Sequence, residues 1–190
     1  MKKLYFLLIT LFITSLSFGQ DLIITGAFDG PLTGGVPKGV ELYVVNDIAD
    51  LSIYGIGSAN NGDGTDGVEL VLSGSANAGE FIYIGSEEPQ FIAFFGFAPD
   101  FVNGAANING DDAIELFGSV VDSGGGVFTG TVIDIFGDIN VDGNGTGWEY
   151  LDGWAYRVDG TGPDGSTFVL ANWTFSGPNA LDGETTNASA

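Results

Sequence analysis

The chain has no cysteine, no histidine, one methionine and only four lysine and arginine residues among its 190. Without Cys there are no disulfides, no thiol chemistry and no thiolate zinc site. Without His the commonest general base and the commonest nitrogen ligand for a metal are missing, and a Ser-His-Asp triad has no parts. Two of the four cations, Lys2 and Lys3, precede an apolar run from Leu4 to Leu16 that is broken only by Thr10, Thr14 and Ser15. Small residues follow, up to Gly19. This is the pattern of a secretory signal peptide over residues 1–19, with an apolar run too short to span a bilayer comfortably. The expected processed chain keeps Lys38 and Arg157 against 25 acidic residues, a net charge of −23. A surface so acidic repels phosphate backbones and anionic headgroups, so nucleic acid is not an expected partner, and cations are its complement. No later stretch has the length and apolarity of a membrane helix. The sequence therefore predicts a secreted or cell-surface product whose partner is an extracellular protein or a polysaccharide.

What the chain does have is glycine and phenylalanine. Its 32 glycines gather in polar clusters between short apolar runs, and 15 phenylalanines supply core material. Turn signals at short intervals between alternating segments predict an all-β sandwich of about seven to nine strands. Strands are expected at Leu22–Thr25, Gly39–Asn46, Leu51–Tyr54, Val68–Leu72, Glu80–Ile84, Ala113–Phe117, Thr131–Phe136, Trp154–Val158 and Trp173–Phe175. Between Gly39 and Asn46, Val40, Leu42 and Val44 fall on one face and Glu41, Tyr43 and Val45 on the other. One short helical turn is expected near residues 87–96, where Ser86, two glutamates and Pro89 open the segment and Gly96 and Pro99 stop it. The domain is expected to cover residues 20–180, with 181–190 a flexible tail or the start of a linker.

Four blocks occur in a telling order: PKGVELYVVNDIADLSIYGI, ANAGEFIYIGSE, NGDDAIELFG and VIDIFGDINVDGNGTGWEYLDGWAYR. Together they resemble the lamin-tail domain family, bacterial exported type, over most of the chain after residue 20. The resemblance implies an immunoglobulin-like β-sandwich serving as a non-catalytic accessory module of a larger extracellular protein. It supplies no catalytic residues. The DNA association of the family's nuclear members rests on basic surface, which this chain lacks.

Three groups of residues invite a functional reading. Asp138, Asn140, Asp142, Asn144 and Glu149 fit D-x-[DN]-x-[DN]-G-x₅-E, with Gly143 at the turn, a spacing that offers oxygens to Ca²⁺. Against it, Val132 to Phe136 alternates like a strand, whereas an EF-hand needs a helix there; an ordinary hairpin loop satisfies the same pattern. Trp148, Tyr150, Trp154 and Tyr156 are spaced by two within each pair, so an extended chain would show them as rows able to stack on sugar rings, or would bury them as core. Arg157 faces so many carboxylates that a structural ion pair beside a strand is expected of it. Carboxylate pairs such as Asp111 with Asp112, or Glu149 with Asp152, are the sole elements that a glycoside hydrolase could use, and ordinary acidic surface explains them equally. The expected function is a non-enzymatic interaction or adhesion module, calcium-stabilised if the Asp-rich loop is filled. The alternatives are a carbohydrate-binding module and, more distantly, a metal-dependent extracellular hydrolase or nuclease accessory.

Overall fold

In a computed structural model, residues 20–189 form ten strands and one α-helix; the segment read as a signal peptide lies outside the described residues. The strands are β1 (Leu22–Leu32), β2 (Val36–Val44), β3 (Tyr54–Ala59), β4 (Leu70–Val71) and β5 (Phe81–Gly85). Helix α1 (Pro89–Phe95) comes next, followed by β6 (Phe101–Val102), β7 (Ala113–Asp122), β8 (Phe128–Phe136), β9 (Gly153–Arg157) and β10 (Trp173–Phe175). They make a six-stranded sheet in the order β10-β9-β1-β2-β5-β6 and a four-stranded sheet in the order β4-β3-β7-β8. All neighbours are antiparallel except β5 and β6. The chain crosses between the layers after β2, β4, β6 and β8, the connectivity of an all-β sandwich. Among the described residues no helix is long and apolar enough to cross a membrane.

The core lies between the sheets. Leu22, Ile24, Val40, Leu42, Val44, Ile82 and Ile84 face it from the larger sheet, and Ile56, Ile114, Leu116 and Phe136 from the smaller, all within one buried cluster. The expected alternation on β2 is present, with Val40, Leu42 and Val44 buried and Glu41 and Tyr43 half-buried on the outer face. Helix α1 has Pro89 in its first turn, where a missing N–H costs nothing, and ends on Gly96 in the left-handed conformation (φ 84°), its N–H bonded to the Ile92 carbonyl.

One expected strand is corrected. Leu51–Ile53 is a 3₁₀ turn rather than a strand, because the Asp50 carboxylate accepts from the Ser52 N–H at 2.9 Å and caps it; the strand starts at Tyr54. Its continuation to Ala59 through Gly55 and Gly57 lacks the apolar alternation of a sequence-legible strand. Those glycines are needed for contact: a Cβ at Gly55 would lie 2.6 Å from the Leu70 carbonyl oxygen, and one at Gly57 would run into that of Gly67. Residues after 180 also make contacts with the sandwich. Leu181 is buried, its N–H donates to the Asp152 carbonyl at 3.0 Å, and the Asn187 N–H donates to the Phe94 carbonyl at 2.8 Å.

The two layers are joined by ions as well as by grease. Arg157 on β9 reaches across to Asp134 on β8, with Nη2 2.9 and 2.8 Å from its two carboxylate oxygens. Nη1 donates to Asp164 at 3.1 Å, Nε donates to the Ile24 carbonyl at 2.5 Å, and the guanidinium stacks 4.4 Å from the Trp173 ring centre. Asp134 also accepts from the backbone N–H groups of Ile24 and Asp164. Burial is the largest influence on the Asp134 carboxyl and pushes its pKa up; Arg157 and these N–H groups oppose it. The structural role expected of Arg157 is thus met.

Candidate functional site

The Asp-rich loop after β8 does not gather its carboxylates. Asp138 accepts from the Asn140 N–H at 3.0 Å, Asp142 from Asn144 at 2.9 Å and Glu149 from Gly145 at 2.8 Å, each a local turn bond. Among the described residues no group of three acidic side chains stands together as metal ligands, the element before the loop is a strand, and the loop carries the chain from β8 in one sheet to β9 in the other. Gly143 has another job than the sharp turn of a calcium loop. A Cβ there would lie 2.7 Å from the Trp148 ring and from the Asp111 carbonyl, so it is a close-packing residue. The other acidic loops also serve structure. The fully buried Asp112 carboxylate accepts from the N–H groups of Asn61 and Asn109, both at 2.9 Å, and so fastens two loops to each other.

The four aromatic candidates divide. Trp148 and Tyr150 are buried, and as sugar-stacking residues they are corrected to core. Trp148 packs edge-on against Phe136 and Phe168, and the Tyr150 hydroxyl donates to the Asp112 carbonyl at 3.1 Å. Trp154 and Tyr156 instead project from the outer face of the six-stranded sheet, half-buried and exposed respectively.

Strand register explains what surrounds them. Side chains two apart on a strand, and paired residues on adjacent strands, share a face. One row across β9, β1, β2 and β5 therefore reads Tyr156, Gly26, Glu41, Tyr83. The next reads Trp154, Phe28, Gly39, Gly85. The glycines lower the middle of this face, and α1 lies over one end of it. A Cβ at Gly39 or Gly85 would come within 3.1 or 3.0 Å of the Phe91 ring, so both glycines admit the helix. The result is an open groove of about 350 Å³ walled by Trp154, Tyr156, Tyr83, Phe95 and Phe97, with Glu41 on its floor. That volume falls within the range of small-ligand sites.

Glu41 is held from both sides. Thr25 Oγ1 donates to Oε1 at 2.7 Å and the Tyr156 hydroxyl donates to Oε2 at 3.2 Å. Burial, then the charge and hydrogen bonding of Glu41, raise the Tyr156 hydroxyl to about 12 and push that of Tyr83 well above its ordinary value. Both phenols therefore stay protonated donors at any physiological pH. Trp154 and Tyr156 meet edge to face, 5.9 Å apart at 75°, which makes a corner rather than a flat platform. Tyr83 and Phe97 form a second such corner, 4.8 Å apart at 62°.

Sequence reasoning found Trp154 and Tyr156 but missed Glu41, Tyr83, Phe95 and Phe97. The signal available was the outward parity of Glu41 on β2; the pairing of that strand with β9 through β1 is a tertiary fact. No protein-family model, curated protein or solved structure matches the chain.

Proposed function

We propose that this chain is an exported, non-catalytic binding module of the lamin-tail type, which engages an extracellular partner through the outer face of its six-stranded sheet. The observation that carries the reading is the groove between Trp154, Tyr156, Tyr83 and Phe97, where aromatic surface is left uncovered around one held carboxylate. Isolated apolar residues on a surface are ordinary, but a concave cluster of aromatic rings with a few fixed polar groups is the usual form of a binding site. The hydrogen bonds of Glu41 to Thr25 and Tyr156 hold it as an acceptor. The ordered blocks from PKGVELY to GWAYR support the lamin-tail reading, and the charged and apolar start of the chain supports export.

A glycan-binding module is the second reading, favoured by the position of Trp154 and Tyr156 at the groove. The reading is tested by applying the fluorescently labelled processed protein to immobilised extracellular proteins and polysaccharides, beside a Trp154→Ala/Tyr83→Ala variant of matched thermal midpoint. Retention of the parent and loss of the variant, with no product released, is the expected outcome. Equal retention of both, or turnover of any member of the panel, refutes it.

A further inference from the structure

The groove's carboxylate has no cation of its own. Lys38 is spent on Asp29 at 3.1 Å, with its ammonium also donating to the Ile108 carbonyl and to Asn109 at 2.6 Å each. Arg157 is closed within Asp134 and Asp164. These are the only Lys and Arg side chains among the described residues. Glu41 sits half-buried among aromatic rings with only neutral hydroxyls as donors. A charge placed so has strong complementarity for a cation, and aromatic faces add cation–π attraction.

We propose that this groove receives the ammonium end of a lysine side chain from a partner protein, with Glu41 as its acceptor and the Trp154–Tyr156 and Tyr83–Phe97 corners as its walls. The proposal rests on the binding-module reading and names the chemistry of its ligand. Three features select this occupant. A second copy of the chain is disfavoured, because the Lys and Arg side chains among its described residues are both buried in ion pairs and two such acidic bodies repel. An N–H donor is preferred over a quaternary ammonium, because a carboxylate offers about four lone-pair sites and the hydroxyls of Thr25, Tyr156 and Tyr83 leave one open. Lysine is preferred over arginine, because these hydroxyls already occupy a site on each oxygen and obstruct a bidentate fork. The corner geometry of the rings encloses a compact head group and offers no flat surface to a pyranose.

The test is a titration of isotope-labelled processed protein with a capped, otherwise neutral peptide carrying one lysine, followed by NMR. The same peptide acetylated on Nε and a neutral oligosaccharide are the comparison ligands. The lysine peptide is expected to shift the Trp154 indole N–H and the Gly26 and Gly39 amides. Acetylation, or Glu41→Gln, is expected to weaken binding about tenfold or more. Gln keeps an acceptor oxygen for one of the two hydroxyls, and the other hydroxyl can rotate to accept from the new amide N–H, so the fold should survive, and an unchanged thermal midpoint verifies it. Equal binding of the acetylated peptide, or no shift with the lysine peptide, overturns the proposal. Shifts at these resonances with the oligosaccharide alone also overturn it while leaving the binding-module reading intact.

Discussion

Replacing Arg157 by Met should be among the most damaging single changes in the molecule. Methionine fills much of the same volume, so the loss is electrostatic. Asp134, with no exposed surface, would keep two backbone N–H bonds and lose both guanidinium contacts. Ile24 would lose its carbonyl partner, Asp164 its charge partner, and Trp173 the cation on its face. Removing one member of a buried pair costs about 3–5 kcal/mol, chiefly because the other charge is left stranded. For a domain of this length that lowers the thermal midpoint by roughly 6–20 °C. The paired variant Arg157→Met/Asp134→Leu removes the more deeply buried of the two stranded charges but leaves Asp164 and two N–H groups unpaired, and the expected result is recovery of about 1–2 kcal/mol of the loss. Equilibrium unfolding in urea, with the slopes compared, measures both. A single variant that loses less than about 1 kcal/mol, or a double variant no more stable than the single, refutes the assignment of this ion pair as the pin between the sheets.

Acid should stabilise the domain over a defined window. Burial and the nearby charges of Asp112, Asp142 and Asp29 raise the Asp111 carboxyl from 3.8 to about 6. The folded state therefore takes up this proton more readily than the unfolded chain, and stability rises as pH falls through about 6 towards 4. Asp111→Asn should raise the midpoint at pH 7 and flatten that rise in a pH series; an unchanged profile argues against it. Gly39→Ala should push the Phe91 ring by a few tenths of an ångström, costing about 1 kcal/mol in denaturant unfolding and weakening any ligand of the groove. Calcium added to chelator-treated protein should leave the thermal midpoint unchanged, since the acids of the 138–149 loop are turned to their own backbone; a clear rise would mean that the loop rearranges to bind it.

What the sequence revealed of this fold follows from how each element is stabilised. Strand β2 was legible because burial of Val40, Leu42 and Val44 imposes a period of two on one chain segment. Helix α1 was legible because its ends are chemical signals, Pro89 and Gly96. Strand β3 was largely illegible because its glycines answer to the backbone of a neighbouring loop, and no local pattern encodes that. The site divides the same way. Arg157 could be read from charge scarcity, since so few cations among so many acids must be paired. The groove could not be assembled in advance, because Tyr156, Glu41 and Tyr83 meet only through the register of four strands. The Asp-rich loop makes a related point: spacing alone does not say whether a carboxylate faces inward or caps its own turn, as Asp138 and Asp142 do.

The borders of the two sheets have a consequence for storage and crowding. Three of the four outer strands, β10, β4 and β6, are only three, two and two residues long. The fourth, β8, is long, but it is interrupted opposite Leu116 and Phe117, where Gln20 also donates to the Ile133 carbonyl. Little straight, unsatisfied ladder is left on which an incoming strand could template itself. Concentrated solutions of this protein should consequently resist conversion to amyloid-like fibres, even though its sequence is rich in the aromatic segments from which such fibres are commonly built.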